Sequence, residues 1–153
     1  VCGAMGMPAY EVSNHARDGA QSRHNLIYWR YGDYIGIGPG AHGRITLDGQ
    51  KWATVCYSNP KRWLDGVALQ AAEKPREPLS RQDQANEFLL MGLRLKEGVS
   101  SNRYAKILGR PLPIEKITRL EEIGMVTHFG GQLSVTKQGI MVLNAVIEDL
   151  LAD

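Results

Sequence analysis

The sequence has 153 residues, 43% of them hydrophobic and 22% charged, enough to bury one ordinary core or two small ones. A net charge of +2 does not imply a nucleic-acid partner, and the longest apolar runs, 88–91 and 140–143, fall far short of the roughly 20 residues of a membrane span. Two cysteines, Cys2 and Cys56, cannot make a disulfide framework or a thiolate cluster within this chain.

In chain order, residues 4–7 read as the close of a helix, with Gly6 near its end and Pro8 after it. Residues 10–13 read as a strand, and residues 34–38 as a short apolar run leading into Pro39-Gly-Ala-His-Gly43. Asp48-Gly49 is a strong two-residue turn between residues 44–47 and 51–57, the signature of a hairpin. Ser58-Asn-Pro60 starts a helix through Trp63 and Leu64. Eight of the 11 aromatic residues lie before residue 64, and nine of the 17 glycines in the first 50. That half, with few strands and many turns, is a poor independent fold. Two prolines among charges in residues 73–78 mark a boundary, dividing the chain into residues 1–75 and 76–153.

The second half is better punctuated. Ser80-Arg-Gln-Asp83 has the form of a capping box, and Ala85, Phe88, Leu89, Gly92 and Leu95 follow at helical spacing. Ser100 caps a short helix that stops at Gly109. Pro113 opens a third, with Ile114, Ile117, Leu120 and Ile123 as its apolar stripe and Gly124 as its terminator. Residues 125–129 and 132–136 flank Gly130-Gly131 as a hairpin. Thr136 caps a last helix carrying Ile140, Met141, Leu143, Ile147, Leu150 and Leu151. The order helix, helix, helix, hairpin, helix is that of a winged-helix unit with added helices. Its would-be recognition helix sets Lys116 and Arg119 against Glu115, Glu121 and Glu122, and residues 76–153 balance ten Lys/Arg with ten Asp/Glu. DNA reading needs a basic face, so a packing or interaction module fits better.

Three features of the first half carry chemistry. Gly36-Ile-Gly-Pro-Gly-Ala-His-Gly43 matches neither a dinucleotide fingerprint nor a P-loop. Its glycines imply close backbone approach to a ligand or to a neighbouring strand, and composition favours the strand. His24, beside Asn25, Tyr28 and Trp29, combines a ligating nitrogen with hydrogen-bonding and stacking groups, a set suited to axial haem ligation or to a structural histidine. Glu11, in the first strand, is a catalytic carboxylate, a ligand-orienting one or a turn cap, and spacing does not decide among them.

The strings Tyr10-Glu-Val-Ser-Asn14, Arg23-His-Asn-Leu-Ile-Tyr-Trp29 and Tyr34-Ile-Gly-Ile-Gly-Pro-Gly-Ala-His42 resemble the C-terminal part of the HemW group. These are radical S-adenosylmethionine proteins similar to the oxygen-independent coproporphyrinogen III oxidase. Gly92-Leu-Arg-Leu-Lys-Glu-Gly98, Glu121-Glu-Ile-Gly-Met125 and Leu133-Ser-Val-Thr-Lys-Gln-Gly139 resemble the family's C-terminal domain. The resemblance implies an α+β chain: the end of a partial (β/α) barrel with its loops in residues 1–75, then a helical, winged-helix-like domain in residues 76–153. It implies a fragment of a protein of haem and porphyrin metabolism that binds haem and delivers it to an acceptor protein. The alternatives are the oxidase itself, or a non-catalytic interaction module. His24, Asn25, Tyr28 and Trp29 are the haem-contact candidates it implies, with Glu11, Gly36, Ile37, Gly38 and Gly40 near the cofactor pocket. Many members carry Cys where this chain has Ser22.

The family's [4Fe-4S] cluster and S-adenosylmethionine depend on a Cys-x3-Cys-x2-Cys motif that this chain lacks, so they are expected in the parent protein only, and this chain alone is expected to perform no radical chemistry. The absence of a targeting signal leads to an expected cytoplasmic location. Strands at 10–13 and 34–38 without barrel neighbours would leave open edges and uncover Tyr10 and Tyr34, so a homodimer joined through residues 1–60 is expected.

Overall fold

A computed structural model describes residues 1–151. It contains two compact units, Val1–Tyr31 with Arg81–Asp153, and Gly32–Ser80. This spatial grouping differs from the 1–75 and 76–153 division read from composition. The first 31 residues fold with the C-terminal part, and residues 76–80 stay with the middle of the chain.

The middle unit is built on one hairpin. Strands β1 (His42–Leu47) and β2 (Gln50–Val55) pair antiparallel, with Leu47 opposite Gln50. Asp48 and Gly49, the turn pair anticipated from sequence, have φ of 50° and 78°, the left-handed values that a tight turn matching strand twist requires. A two-residue strand, β3 (Glu77–Pro78), adds to the other edge of β2. Helix α2 (Pro60–Ala68) follows, capped by the Asn59 side chain, which accepts from Arg62 N–H at 2.9 Å. Lys51, Thr54 and Cys56 are the buried side chains of the second strand and its end. Lys51 is held by Asp33 at 2.8 Å, which satisfies its charge where water is excluded.

The other unit holds the main core. Helices α3 (Arg81–Gly92), α4 (Ser101–Leu108) and α5 (Ile114–Glu122) pack with a second hairpin, β5 (Val126–Phe129) and β6 (Gln132–Val135). Leu89, Leu93, Val99, Ile117, Val126 and Leu133 are fully enclosed. Ser100 caps α4 by accepting from Arg103 N–H, and Gly109 ends it with φ 88°. Gly130 and Gly131 turn the hairpin, as read from sequence. A strand not foreseen, β4 (Val99–Ser100), pairs with β6 in the order β4-β6-β5. Gly98 makes that pairing possible: its φ is 70°, and a Cβ there would collide with the Leu133 carbonyl oxygen.

Several expectations change on contact with the structure. All strand pairs and isolated bridges among the described residues are antiparallel. The end of a parallel barrel expected in residues 1–75 therefore does not appear as strand pairing. Residues 10–13 and 34–38 are not strands. Each is tied by isolated bridges, Glu11 to Leu95 and Tyr34 to Arg44, because the chain turns back too soon to extend a ladder: Tyr10 N–H already bonds Asn14 C=O. The helical close expected at residues 4–7 is a 3-10 turn, Cys2–Met5, ended by Gly6. The third helix buries Ile117 and Leu120, while Ile114 and Ile123 are exposed. The last helix is two: α6 (Lys137–Ile140), capped by Thr136, and α7 (Leu143–Leu151). Between them Met141 and Val142 make tight i−3 bonds to Gln138 and Gly139.

The N-terminal segment joins this unit through a small antiparallel stitch. Val12 N–H bonds Arg94 C=O, and Lys96 N–H bonds Tyr10 C=O, both at 3.1 Å. Helix α1 (Arg23–Trp29) is anchored at its far end. Arg103 donates to the Arg30 carbonyl at 2.7 Å and to the Tyr31 carbonyl at 3.3 Å, and Arg30 pairs in bidentate fashion with Glu97 at 2.7 and 2.8 Å. A cation on these terminal carbonyls also suits the helix dipole.

Two measurements test this account. Gly98→Ala should lower unfolding free energy by about 2–4 kcal/mol in urea denaturation, since strain and collision add; Gly3→Ala, where nothing lies within 4 Å, should stay within about 0.5 kcal/mol. The Arg30 hydrogen bond holds the Glu97 carboxyl below its usual range despite partial burial. A carboxyl lowered in the folded state stabilises above its unfolded pKa and loses that contribution as pH falls through the folded one. Glu97→Gln should therefore flatten the acid limb of the stability profile below about pH 4.3. Because both partners are about half exposed, the change near neutrality should stay under about 1 kcal/mol.

Candidate functional site

Helix α1 begins where the Ser22 hydroxyl accepts from Asn25 N–H at 3.3 Å. Its spacing puts His24 and Tyr28 at i and i+4 on one face, and Asn25 and Trp29 on the next. His24 is exposed, and among the described residues no hydrogen bond fixes its ring. Asn25, Tyr28 and Trp29 are half-buried. The Asn25 amide reaches the Tyr10 hydroxyl at 3.4 Å, a long bond. The Tyr28 and Trp29 rings meet edge to face at 4.9 Å. The Arg94 guanidinium lies 5.7 Å from the Trp29 ring centre. The four candidates on this helix are thus together, with one unengaged imidazole beside an aromatic surface. Such an arrangement can present a nitrogen donor beside an aromatic surface.

Glu11 does not join them. It is 4% exposed, and its Oε1 has no hydrogen-bond partner among the described residues. It lines a cavity of about 440 Å³ with Pro8, Ala9, His15, Arg94, Lys96, Val135, Lys137 and Ile140 among its walls; His24, Asn25, Tyr28 and Trp29 do not line it. The stitch between residues 10–12 and 94–96 explains the separation, since neighbouring side chains on extended backbone point to opposite sides. Tyr10 goes to Asn25, and Glu11 goes to the cavity.

The glycine segment belongs to the middle unit. Gly36 lies so close to β1 that a Cβ would collide with the His42 carbonyl, and the Cys56 thiol donates to the Gly36 carbonyl at 3.6 Å. For Gly36 the close approach is thus to a neighbouring strand. Gly38 and Gly40 take φ of 117° and 71°, and Ile37 is 84% exposed. The Asp33 carboxyl nearby is raised by burial, but the Lys51 and Thr46 hydrogen bonds outweigh this and leave it below its usual range.

Sequence reasoning did not single out Arg94, Lys96, Glu97, Arg103 or Lys137. Arg94 and Lys96 flank Leu95 at a spacing of two, a signal only if residues 94–96 are read as extended. Groups of three or more His, Cys, Asp or Glu able to hold a metal ion are absent among the described residues. No helix among them is long and apolar enough to cross a membrane.

Comparison with known proteins agrees with the motif resemblance. Residues 79–142 match the HemN C-terminal domain family. The heme chaperone HemW of Escherichia coli is 33% identical over 98% of this chain, and that of Bacillus subtilis 32% over 98%. The mitochondrial radical S-adenosyl methionine domain-containing protein 1 of Bos taurus is 32% identical over 96%. The chain spans 39%, 40% and 36% of these three relatives, respectively. In three dimensions it resembles coproporphyrinogen III oxidase (HemN) from Escherichia coli, a radical SAM enzyme, with a TM-score of 0.66 over 99% of this chain and 38% of that one, at 14% identity. Residues 79–142 therefore match the HemN C-terminal domain family, and the chain as a whole is similar to the C-terminal part of HemW-like radical S-adenosylmethionine proteins.

Proposed function

We propose that the chain is the part of a HemW-like protein that contacts haem, with His24 as axial ligand and Tyr28, Trp29 and Asn25 around it. The exposed, unengaged imidazole on a helix tied at both ends carries this reading. Haem fits such a group: the ring nitrogen is available without breaking a bond, and Tyr28 one turn on offers an apolar face. Delivery to an acceptor protein would follow from the same exposure, because a haem held by one open ligand can be passed on. Ser22 engages its hydroxyl in the helix cap, so the imidazole is the ligand proposed, without a thiolate.

The longer relatives would supply the rest. Residues 1–75 would lie at the end of their partial barrel as antiparallel segments and not as its strands, with Ile37, Gly38 and Gly40 toward its cofactor and Gly36 held against β1. The element order of residues 76–151 supports a winged-helix-like unit used for packing. An iron–sulfur cluster does not fit this chain. Cys56 is buried with its thiol on Gly36, and Cys2 is the only other thiol. No redox step is derived through it.

Haem titration of the full chain should give a shifted Soret band, and His24→Ala should weaken binding by about tenfold or more. An unchanged spectrum and affinity in that variant would return His24 to a surface role. The proposed assembly is a homodimer through residues 1–60, supported by the exposed Ile35 and Ile37 and by segments 10–13 and 34–38 that pair only through isolated bridges. Light scattering should report twice the chain mass, and a monomer would refute it.

A further inference from the structure

We propose that the cavity beside Glu11 binds a small apolar α-amino acid, with its ammonium on the Glu11 carboxylate, its carboxylate on Lys96 and Lys137, and its side chain against Val135 and Ile140. This site is independent of the haem contact proposed for α1, whose four candidate residues do not line the cavity.

The first observation is the carboxylate. Glu11 is 4% exposed, and its Oε1 is enclosed with no donor among the described residues. An acceptor shut away from water without a donor is costly, more so when charged. Glu11 also has no ion pair among the described residues, although three cations share its cavity. The stitch to residues 94–96 fixes the backbone on both sides of it, which sets the side chain on the cavity side. A ligand that brings a charged N–H donor would satisfy it.

The second observation is the opposite charge at the rim. Lys96 and Lys137 are exposed and form no ion pair among the described residues, and Arg94 is partly engaged by the Trp29 ring. The charged walls therefore sum to an excess of positive charge around one buried negative group. A simple cation would meet repulsion at this rim, and a simple anion would leave Glu11 without a donor. A zwitterion answers both.

The third observation is shape and surface. The cavity holds about 440 Å³, within the range of small-molecule sites. Val135, Ile140, Pro8 and Ala9 give it an apolar wall, and Ile140 is left partly exposed where an aliphatic side chain could cover it. His15 is oriented by its Nδ1, which lies 3.2 Å from the Met7 carbonyl, and no ligand contact is assigned to it.

L-leucine titrated into the full chain by calorimetry tests the assignment. Saturable one-to-one binding is expected. N-acetyl-L-leucine, which lacks the ammonium, and L-leucinamide, which lacks the carboxylate, should each bind at least about tenfold more weakly. Glu11→Gln should weaken L-leucine by about tenfold, and the Lys96→Ala/Lys137→Ala double variant by a similar factor. Both lysines are exposed, so the double variant decides the matter if circular dichroism shows Glu11→Gln to be unfolded. No saturable binding up to about 10 mM, or undiminished binding in the double variant, would overturn the proposal. His24→Ala should leave L-leucine binding unchanged. A chain of unaltered sequence that gives no Soret shift but still binds leucine would count against the haem reading alone.

Discussion

Two backbone hydrogen bonds organise the N-terminal part of this chain. Val12 to Arg94 and Tyr10 to Lys96 stitch an otherwise irregular segment to the end of α3's loop. The stitch is too short to count as a sheet, yet it decides where three side chains go. Tyr10 is aimed at α1, Glu11 is drawn into the cavity, and Arg94 is set between that cavity and the Trp29 ring. Without it the first 22 residues would have few contacts to order them, since the 3-10 turn contains no buried residue, whereas α1 is also tied down at Arg30 and Tyr31. A helix of two turns is not stable by itself in water. Here its ends are held by a serine cap and by an arginine that comes from α4.

The elements that could be read from sequence are those whose geometry is set by residues next to one another. Asp48-Gly49 and Gly130-Gly131 permit positive φ at adjacent positions, so both hairpins were legible with their turns. Ser100, Asn59 and Thr136 cap helices through bonds to residues three positions on, and that too is local information. The two-residue strands β3 and β4 were not legible, because two residues hold no periodicity and their pairing depends on β2 and β6. The split between α6 and α7 was hidden for a related reason. Residues 137–151 look continuous as an apolar pattern, but Gly139 is packed against the Met125 carbonyl, a contact the pattern does not encode.

The candidate site divides along the same line. The grouping of His24, Asn25, Tyr28 and Trp29 follows from helical spacing, and the structure keeps them together. Glu11 was left open between a catalytic or ligand-orienting role and a turn cap. Its burial arises from pairing with residues far along the chain, so no local signal could choose. Lys96 and Lys137 are unremarkable as letters, and they become neighbours of Glu11 only through the fold. The glycine segment shows the reverse. Its composition suggests a ligand or a strand, and at Gly36 the neighbour is β1.

The length of α1 has a consequence for how the chain can vary. Seven residues lie between Ser22 at one end and the carbonyls held by Arg103 at the other. With both ends pinned, the helix has a fixed angular phase as well as a fixed position. Each residue of an α-helix advances by about 100°, so one inserted residue would rotate every later side chain to a different face. His24 lies before most such insertions and would keep its direction, while Tyr28 and Trp29 would turn away from it. Substitutions on this helix can therefore be graded in effect, whereas a change in its length would separate the imidazole from its rings in a single step.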